Sequence, residues 1–399
     1  MSLTRRSFLQ TTALGLSAAT PSVLLRAAED VAGLSDDQVL VVVQLSGGND
    51  GLNTVIPFES DAYHRNRPTL AVSKGSVLKL DKRAPLDVGL HPAMTAMKEL
   101  YDEGHVAVVQ GIGYPNPSRS HFRSMDIWHT ARPGDLEASK GWLGRSLELG
   151  GRSLNALQIG GEKLPLALHG QRHVASLQNL DFLDFLATKK GKEMRRMMTA
   201  LLAPSREGAV ESVRGLAETT LVSLEKIVKV REKPVPVEYP DSRLSERLKW
   251  AGQMIGGGYP SRIFYVSQGG YDTHAQQRDG HQVLLQRLSD AVGAFHRHME
   301  KIDATKRVTV VVFSEFGRRV KENGSLGTDH GCAAPAFVIS GRVKGGLHGK
   351  HPSLTDLDHG DLKYGVDFRR LYATVLEDVL KLKSEKVLGG KFEKLDLLG

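Results

Sequence analysis

Apolar and polar positions along this chain fall into two alternating rhythms. Val39–Leu45 (VLVVVQL) is an unbroken, mostly β-branched run that empties into SGGND, the pattern of a strand buried on both faces and opening into a Gly-rich loop. The same format recurs at 106–110 before GIGYPNPSRS, at 263–267 before QGGYDTH and at 308–313 before SEFGR, with a weaker fifth candidate at 336–339. Between these runs the apolar spacing turns helical, at 92–103, 120–130, 242–255, 282–301 and 368–382. Strands alternating with helices predict an α/β fold: a mostly parallel central sheet with helices on both faces. In open sheets of that kind the ligand crevice lies beyond the carboxyl ends of the strands. The polar clusters of this sequence follow their strands, so predicted site and predicted topology agree.

The stretch 181–235 breaks the alternation. It is rich in Leu, Met, Lys and Arg at helical spacing and has no strand signal, so it is expected to be a helical insert or cap within a domain covering 36–399. Its basic residues include Lys189, Lys190, Lys192, Arg195, Arg196, Lys226, Lys229, Arg231 and Lys233. With no aromatic stacking platform or nucleic-acid motif beside them, they read as a solvated helix face, and no nucleic-acid partner is expected. Pro234 and Pro236 mark the return to the main sheet.

Composition narrows the class. A chain of 399 residues, 40% hydrophobic and 25% charged, has the length and balance for a full core, which excludes a disordered chain and a polytopic membrane protein. The formal net charge of +8 owes part of its size to residues 1–28, which carry Arg5, Arg6 and Arg26 and no acid. TRRSFLQ at 4–10, followed by an uncharged small and apolar stretch at 11–25, resembles a twin-arginine export signal cleaved near Ala27 or Ala28. The stretch is short for a bilayer span and contains Gly15 and Pro21, so no stable membrane span is expected. The twin-arginine export machinery becomes an expected partner, and a periplasmic or extracellular location follows. One cysteine, Cys332, against 15 histidines excludes a disulfide framework and a multi-thiolate zinc cage, so a bound metal must be held by nitrogen and oxygen.

The residues that follow the strands supply such donors. The first loop carries Asn49 and Asp50, the second Ser118, Arg119, Ser120 and His121, and the third Asp272 and His274. The fourth carries Glu315 and Arg318, then Asp329 and His330, and a Gly-rich stretch adds His348 and His351. Each has a structural use of its own: Asp50 and Asp272 as turn formers or caps, Ser118 as an N-cap, Glu315 and Arg318 as an ion pair. Jointly they are what a divalent cation requires, whether zinc or calcium, magnesium or manganese, and the set is large enough for two ions. Ser118, and next to it Ser120, stands at a helix start where a hydroxyl could attack an ester and free N–H groups could hold an anion. Arg119, His121 and Arg123 add cationic donors able to bind an oxyanion or orient a neighbour.

LSGGNDGLNTVIPF, SRSHFRSMDIWHTA, GGYDTH, SEFGR and TDHG, in this order and behind RRSFLQ, resemble the bacterial domain-of-unknown-function family 1501 over essentially the whole chain. That family is grouped by similarity with the alkaline-phosphatase-like superfamily of phosphatases, sulfatases, nucleotide pyrophosphatases and phosphoglycerate mutases. The resemblance implies an alkaline-phosphatase-like fold. It makes Asp50 an early metal ligand and Ser118, before Ser120, the nucleophile. Asp272 and His274 then belong to one metal site, Asp329 and His330 to the other, with His348 as the late histidine and Glu315 in a ligand position. The expectation is an exported, metal-dependent hydrolase acting on a small anionic ester or on a sulfated or phosphorylated polymer. The alternatives are an exported protein that binds an anion, polysaccharide or partner without catalysis, and a structural component of the envelope.

Overall fold

The computed structural model describes residues 38–80, 87–135, 137–151, 154–161, 163–177, 185, 188–201, 227–230 and 233–399. The export signal expected at 1–28 and most of the insert expected at 181–235 lie outside the described residues.

Among the described residues nine strands form the main sheet: β1 (Val39–Leu45), β2 (Val106–Gly113), β3 (Ala156–Ile159), β4 (Ala175–Leu177), β5 (Ile263–Gln268), β6 (Val308–Ser314), β7 (Ala334–Ile339), β8 (Gly346–His348) and β9 (Val366–Asp367). Their order is β8-β2-β7-β6-β1-β5-β3-β4, and β9 also pairs with β2. Only β7 runs antiparallel to its neighbours; every other pairing in this sheet is parallel. All five strands read from the sequence are present, while β3, β4, β8 and β9, short and without a long apolar run, were not foreseen.

Alternation along β1 explains the layers. Val39, Val41, Val43 and Leu45 face one core, shared with helices α1 (Thr95–Asp102), α4 (Arg243–Gly256) and α5 (Gln277–Lys301). Leu40 and Val42 face the other, shared with α2 (His121–Thr130), α3 (Trp142–Gly150) and α6 (Phe368–Thr374). A strand covered by helices on both sides has no solvent face to mark, so its sequence is continuously apolar. Of the insert, the helix Lys189–Leu201 and residues 227–230 are described, and Ile227, Val228 and Val230 are buried in the first core. Among the described residues no helix is long and apolar enough to cross a membrane.

The antiparallel strand has a simple cause. No helix separates β6 from β7; the connection 315–333 stays at the carboxyl edge, and β7 therefore enters the sheet from that edge. In consequence the DHG segment precedes its strand in sequence and still lies at the edge where the other polar loops emerge.

Candidate metal centre

The centre is assembled from three of these loops. His121 is the first residue of α2, Asp272 and His274 follow β5, and His330 lies in the connection between β6 and β7. Helix α2 is held by Trp128, buried between the rings of Phe313 and Phe368 with centroids 4.9 and 4.4 Å away, so one large aromatic two turns on fixes where His121 stands. The loop after β1 must pass close by. Gly47 has φ +117°, and a Cβ there would overlap the backbone of Asp272, while a Cβ on Gly48 would overlap the ring of Phe316.

Three imidazoles converge on one carboxylate oxygen. Asp272 Oδ1 lies 3.3 Å from His121 Nε2, 3.0 Å from His274 Nε2 and 3.1 Å from His330 Nε2. The opposite nitrogen of each ring faces an acceptor: His121 Nδ1 lies 2.9 Å from Glu315 Oε1, His274 Nδ1 3.3 Å from Asp329 Oδ1, and His330 Nδ1 2.7 Å from the Arg119 carbonyl. With the proton on Nδ1, held by that acceptor, each ring would turn an Nε2 lone pair inward. His274 Nε2 and His330 Nε2 are 2.8 Å apart, a separation that a proton on one of them or a cation bound by both would satisfy. His121 Nε2 is buried without a hydrogen-bond partner. Ligands about 2.0 Å from a tetrahedral zinc ion are about 3.3 Å from one another, a spacing that the distances from Asp272 Oδ1 to His121 and His330 approach, while His274 lies outside the set whose ligand atoms all fall together. Among the described residues His121, Asp272 and His330 form one of the clusters able to hold a metal.

Charge reinforces the geometry. Arg318, buried at 1% exposure, donates to the carbonyls of Gly47, Gly48, Tyr271 and Thr328 and to Asp272 Oδ1 at 2.8 Å, tying three loops together. Partial burial opposes ionisation of Asp272, but the hydrogen bond and charge of Arg318 overcome it and hold the carboxyl well below the usual carboxylate range. The Glu315 bond raises the pKa of His121 against the opposing effect of burial, and a more basic imidazole is a stronger ligand. Glu315 is itself oriented by the Gly47 N–H at 2.8 Å and the Ser314 hydroxyl at 2.9 Å. Glu315→Gln should therefore fold normally and weaken zinc binding by roughly 10–100-fold, measured by competition with a chromophoric chelator. Unchanged affinity would show that His121 needs no carboxylate behind it.

The remaining expected site residues are distributed differently. Asp50 does not join the converging ligands. It is fully buried, bonded at both oxygens by Arg67, and accepts from Gln277 Nε2 and the Asn53 N–H. Burial pushes its pKa up, and the Arg67 charge more than reverses this, bringing it down to about 2. Glu315 and Asp329 stand behind the histidines, as described. His348 lies apart: it sits opposite Val109 in the middle of β2, and its Nε2 is 2.7 Å from the Lys344 carbonyl. Arg123 donates to the carbonyls of Pro133 and Asp135 and braces the turn after α2 instead of facing an anion. Ser120 is the N-cap of α2 through its backbone, and Ser118 Oγ accepts from the Ser120 N–H at 3.2 Å. Arg119 contributes its carbonyl to His330, and its guanidinium pairs with buried Asp361, as does Arg319 Nε at 3.5 Å. His121, expected as an oxyanion or positioning group, turns its Nε2 toward Asp272 Oδ1 alongside His330. Arg67, Gln277 and Asp361 were missed, since an isolated Arg, Gln or Asp far from any motif carries no sequence signal of burial.

Solved structures resemble the chain at a low level. A sulfatase, PsFucS1, from Pseudoalteromonas sp. is 10% identical, with 90% of this chain and 71% of that chain covered at a TM-score of 0.41. A protein in the alkaline phosphatase superfamily from Vibrio parahaemolyticus is 10% identical, covering 92% and 79% at 0.38. The C-terminal periplasmic domain of EcEptC from Escherichia coli, in a complex with Zn, is 9% identical, covering 79% and 76% at 0.35. No curated protein matches the chain. The sequence from 110 to 388 matches the family described as protein of unknown function, DUF1501, and with well over half of its length so matched the chain belongs to that family.

Proposed function

We propose that this protein is an exported, metal-dependent hydrolase of phosphate or sulfate esters. The observation that carries the proposal is the convergence of three histidine Nε2 atoms on Asp272 Oδ1, each ring oriented from behind. His121, Asp272 and His330 would hold a divalent cation, with His274 beside them and zinc best suited to this nitrogen-rich set. Such an ion supplies Lewis acidity and lowers the pKa of a nearby hydroxyl or water.

The chain's own residues would do the rest. Arg119 and Arg319 share the single carboxylate of Asp361, which leaves an excess positive charge beside His330 suited to an ester oxyanion. Ser118, three residues before His121, is the proposed nucleophile. Its Oγ would form a bond to phosphorus or sulfur as the ester oxygen leaves with its electron pair and takes up the serine proton, and water would then break the Oγ–phosphorus or Oγ–sulfur bond, releasing phosphate or sulfate and returning a proton to the serine oxygen. Asp272 and His274 are about half exposed, so the centre opens to solvent, where a polymer chain could project as readily as a small leaving group. Export rests on TRRSFLQ at 4–10 and places the activity in the periplasm or outside the cell.

One observation favours a second reading. Ser118 Oγ already accepts the Ser120 N–H, as a purely structural serine would, which suits a protein that binds an anion or polysaccharide without cleaving it. Zinc content, together with hydrolysis of aryl phosphate and aryl sulfate before and after chelation, separates the two. Turnover that chelation and Ser118→Ala both abolish supports the hydrolase. Stoichiometric zinc with no turnover, and retention on a sulfated polysaccharide column, supports the binding protein. Absence of stoichiometric zinc overturns the metal centre.

A further inference from the structure

A second group of ligand atoms lies at the opposite end of the sheet. His105 immediately precedes β2, whose other end leads to Ser118 and His121; eight residues of strand put roughly 26 Å between the two ends. His296 and Glu300 lie four residues apart on α5 and so share one face of that helix. The rings of His105 and His296 are 4.7 Å apart between centroids, and one ligand atom from each of His105, His296 and Glu300 lies within 4.8 Å of the others.

His296 is the informative member. It is 4% exposed, yet its Nε2 is buried without a hydrogen-bond partner, and the nearest carboxylate oxygen, Glu300 Oε1, is 3.6 Å away, too far for one. A buried polar atom left unsatisfied costs about 1–3 kcal/mol, so a nitrogen held in this way toward a histidine and a carboxylate calls for a ligand. The backbone of His105 is fixed on both sides, its N–H donating to the Leu100 carbonyl at 2.9 Å and its carbonyl accepting from the Ser340 N–H at 3.1 Å. Arg297, three residues before Glu300 on the same helix, is turned to Glu99 at 2.9 Å.

We propose that His105, His296 and Glu300 form a second metal site, of two imidazoles and one carboxylate, which takes zinc or a similar borderline divalent cation and pins the start of β2 to the end of α5. Two nitrogens and one oxygen leave a coordination position for water. This site is independent of the proposed hydrolase centre.

Zinc bound per chain after equilibrium dialysis of the full chain tests it. The wild type is expected to hold two equivalents, and His274→Ala/His330→Ala one. His105→Gln and Glu300→Gln, both at accessible positions, are each expected to lose one equivalent from the wild-type count, and His296→Ala should match them if it folds. Cobalt titration of the double variant should give a d–d spectrum that Glu300→Gln abolishes. A double variant that binds no metal, or His105→Gln and Glu300→Gln proteins that bind as much as the wild type, would overturn the proposal. One wild-type equivalent that disappears with His105→Gln and survives in the double variant would support this site and count against the hydrolase centre instead.

Discussion

Asp272→Asn and His330→Ala should each strip the carboxyl-edge centre of zinc under conditions where the wild type holds it at stoichiometry. Asp272 supplies the oxygen on which three Nε2 atoms converge, within 3.3 Å, and His330 supplies one of two Nε2 atoms only 2.8 Å apart. Neither change removes a core packing group, so circular dichroism and the thermal midpoint without metal should stay close to the wild type. Hydrolysis of a susceptible aryl ester should fall by a factor on the order of 1,000 or more, the scale at which loss of a group stabilising developing charge is felt. His348→Ala should leave zinc content and turnover unchanged, since that ring faces the Lys344 carbonyl well back along β2. Retention of full zinc occupancy by both Asp272→Asn and His330→Ala would refute the geometry argued here. Loss of zinc with His348→Ala would instead restore the late histidine to the site.

Arg67→Ala should be the most destabilising single change at this edge of the sheet. Its guanidinium is fully buried, bonds both oxygens of Asp50 and donates to the carbonyls of Val320, at 2.7 Å, and Arg319, at 2.8 Å. Removing it leaves a buried carboxylate uncompensated, which costs about 3–5 kcal/mol. Asp50→Asn/Arg67→Ala should be less destabilised than the sum of the two single changes, because the stranded charge is gone. The pair also sets an acid limit. Since the Asp50 pKa is brought down to about 2 from 3.8, its contribution is fully present above pH 4 and is lost as the pH falls from there toward 2. That contribution is on the order of 2 kcal/mol. Urea unfolding at pH 6 and pH 3 should show this loss in the wild type and a smaller one in Asp50→Asn. Equal pH dependence in the two proteins would assign the acid sensitivity to other carboxylates.

The same pair shows where a motif can mislead. Asp50 follows a buried strand and a Gly-Gly turn, the position a ligand occupies in the superfamily that this chain resembles. The partner that engages it, Arg67, lies 17 residues on, capping the end of the short helix Asp61–Asn66, with nothing in the local sequence to mark it. Whether an acid meets a metal or an arginine depends on which side chain reaches it across the fold, and spacing along the chain carries no record of that. His121 is the converse case. Beside Ser118 and Arg119 it reads as one more cationic donor, and it joins the cluster around Asp272 because Glu315, 194 residues away, engages its Nδ1 and turns its Nε2 inward.

Several features of this protein were decided by sequence alone, for reasons that are local. Continuous β-branched runs exclude a solvent face, so the central strands and their cover of helices on both sides are legible wherever such runs occur. Glycines at 47 and 48 announce a tight approach because other residues would clash there. The choice of Asp and His at loop after loop announces where the polar cluster gathers. The tertiary structure decided what depends on contacts between distant segments. It set the reversed direction of β7, which brings His330 to the same edge as Asp272, and recruited the short strands β3, β4, β8 and β9, which pairing with neighbours stabilises more than their own composition does. It also divided the acids between those that face the centre, those that orient a histidine from behind, and one buried against an arginine. Hydrogen bonds and ion pairs act over a few ångströms in space, while sequence records only distance along the chain.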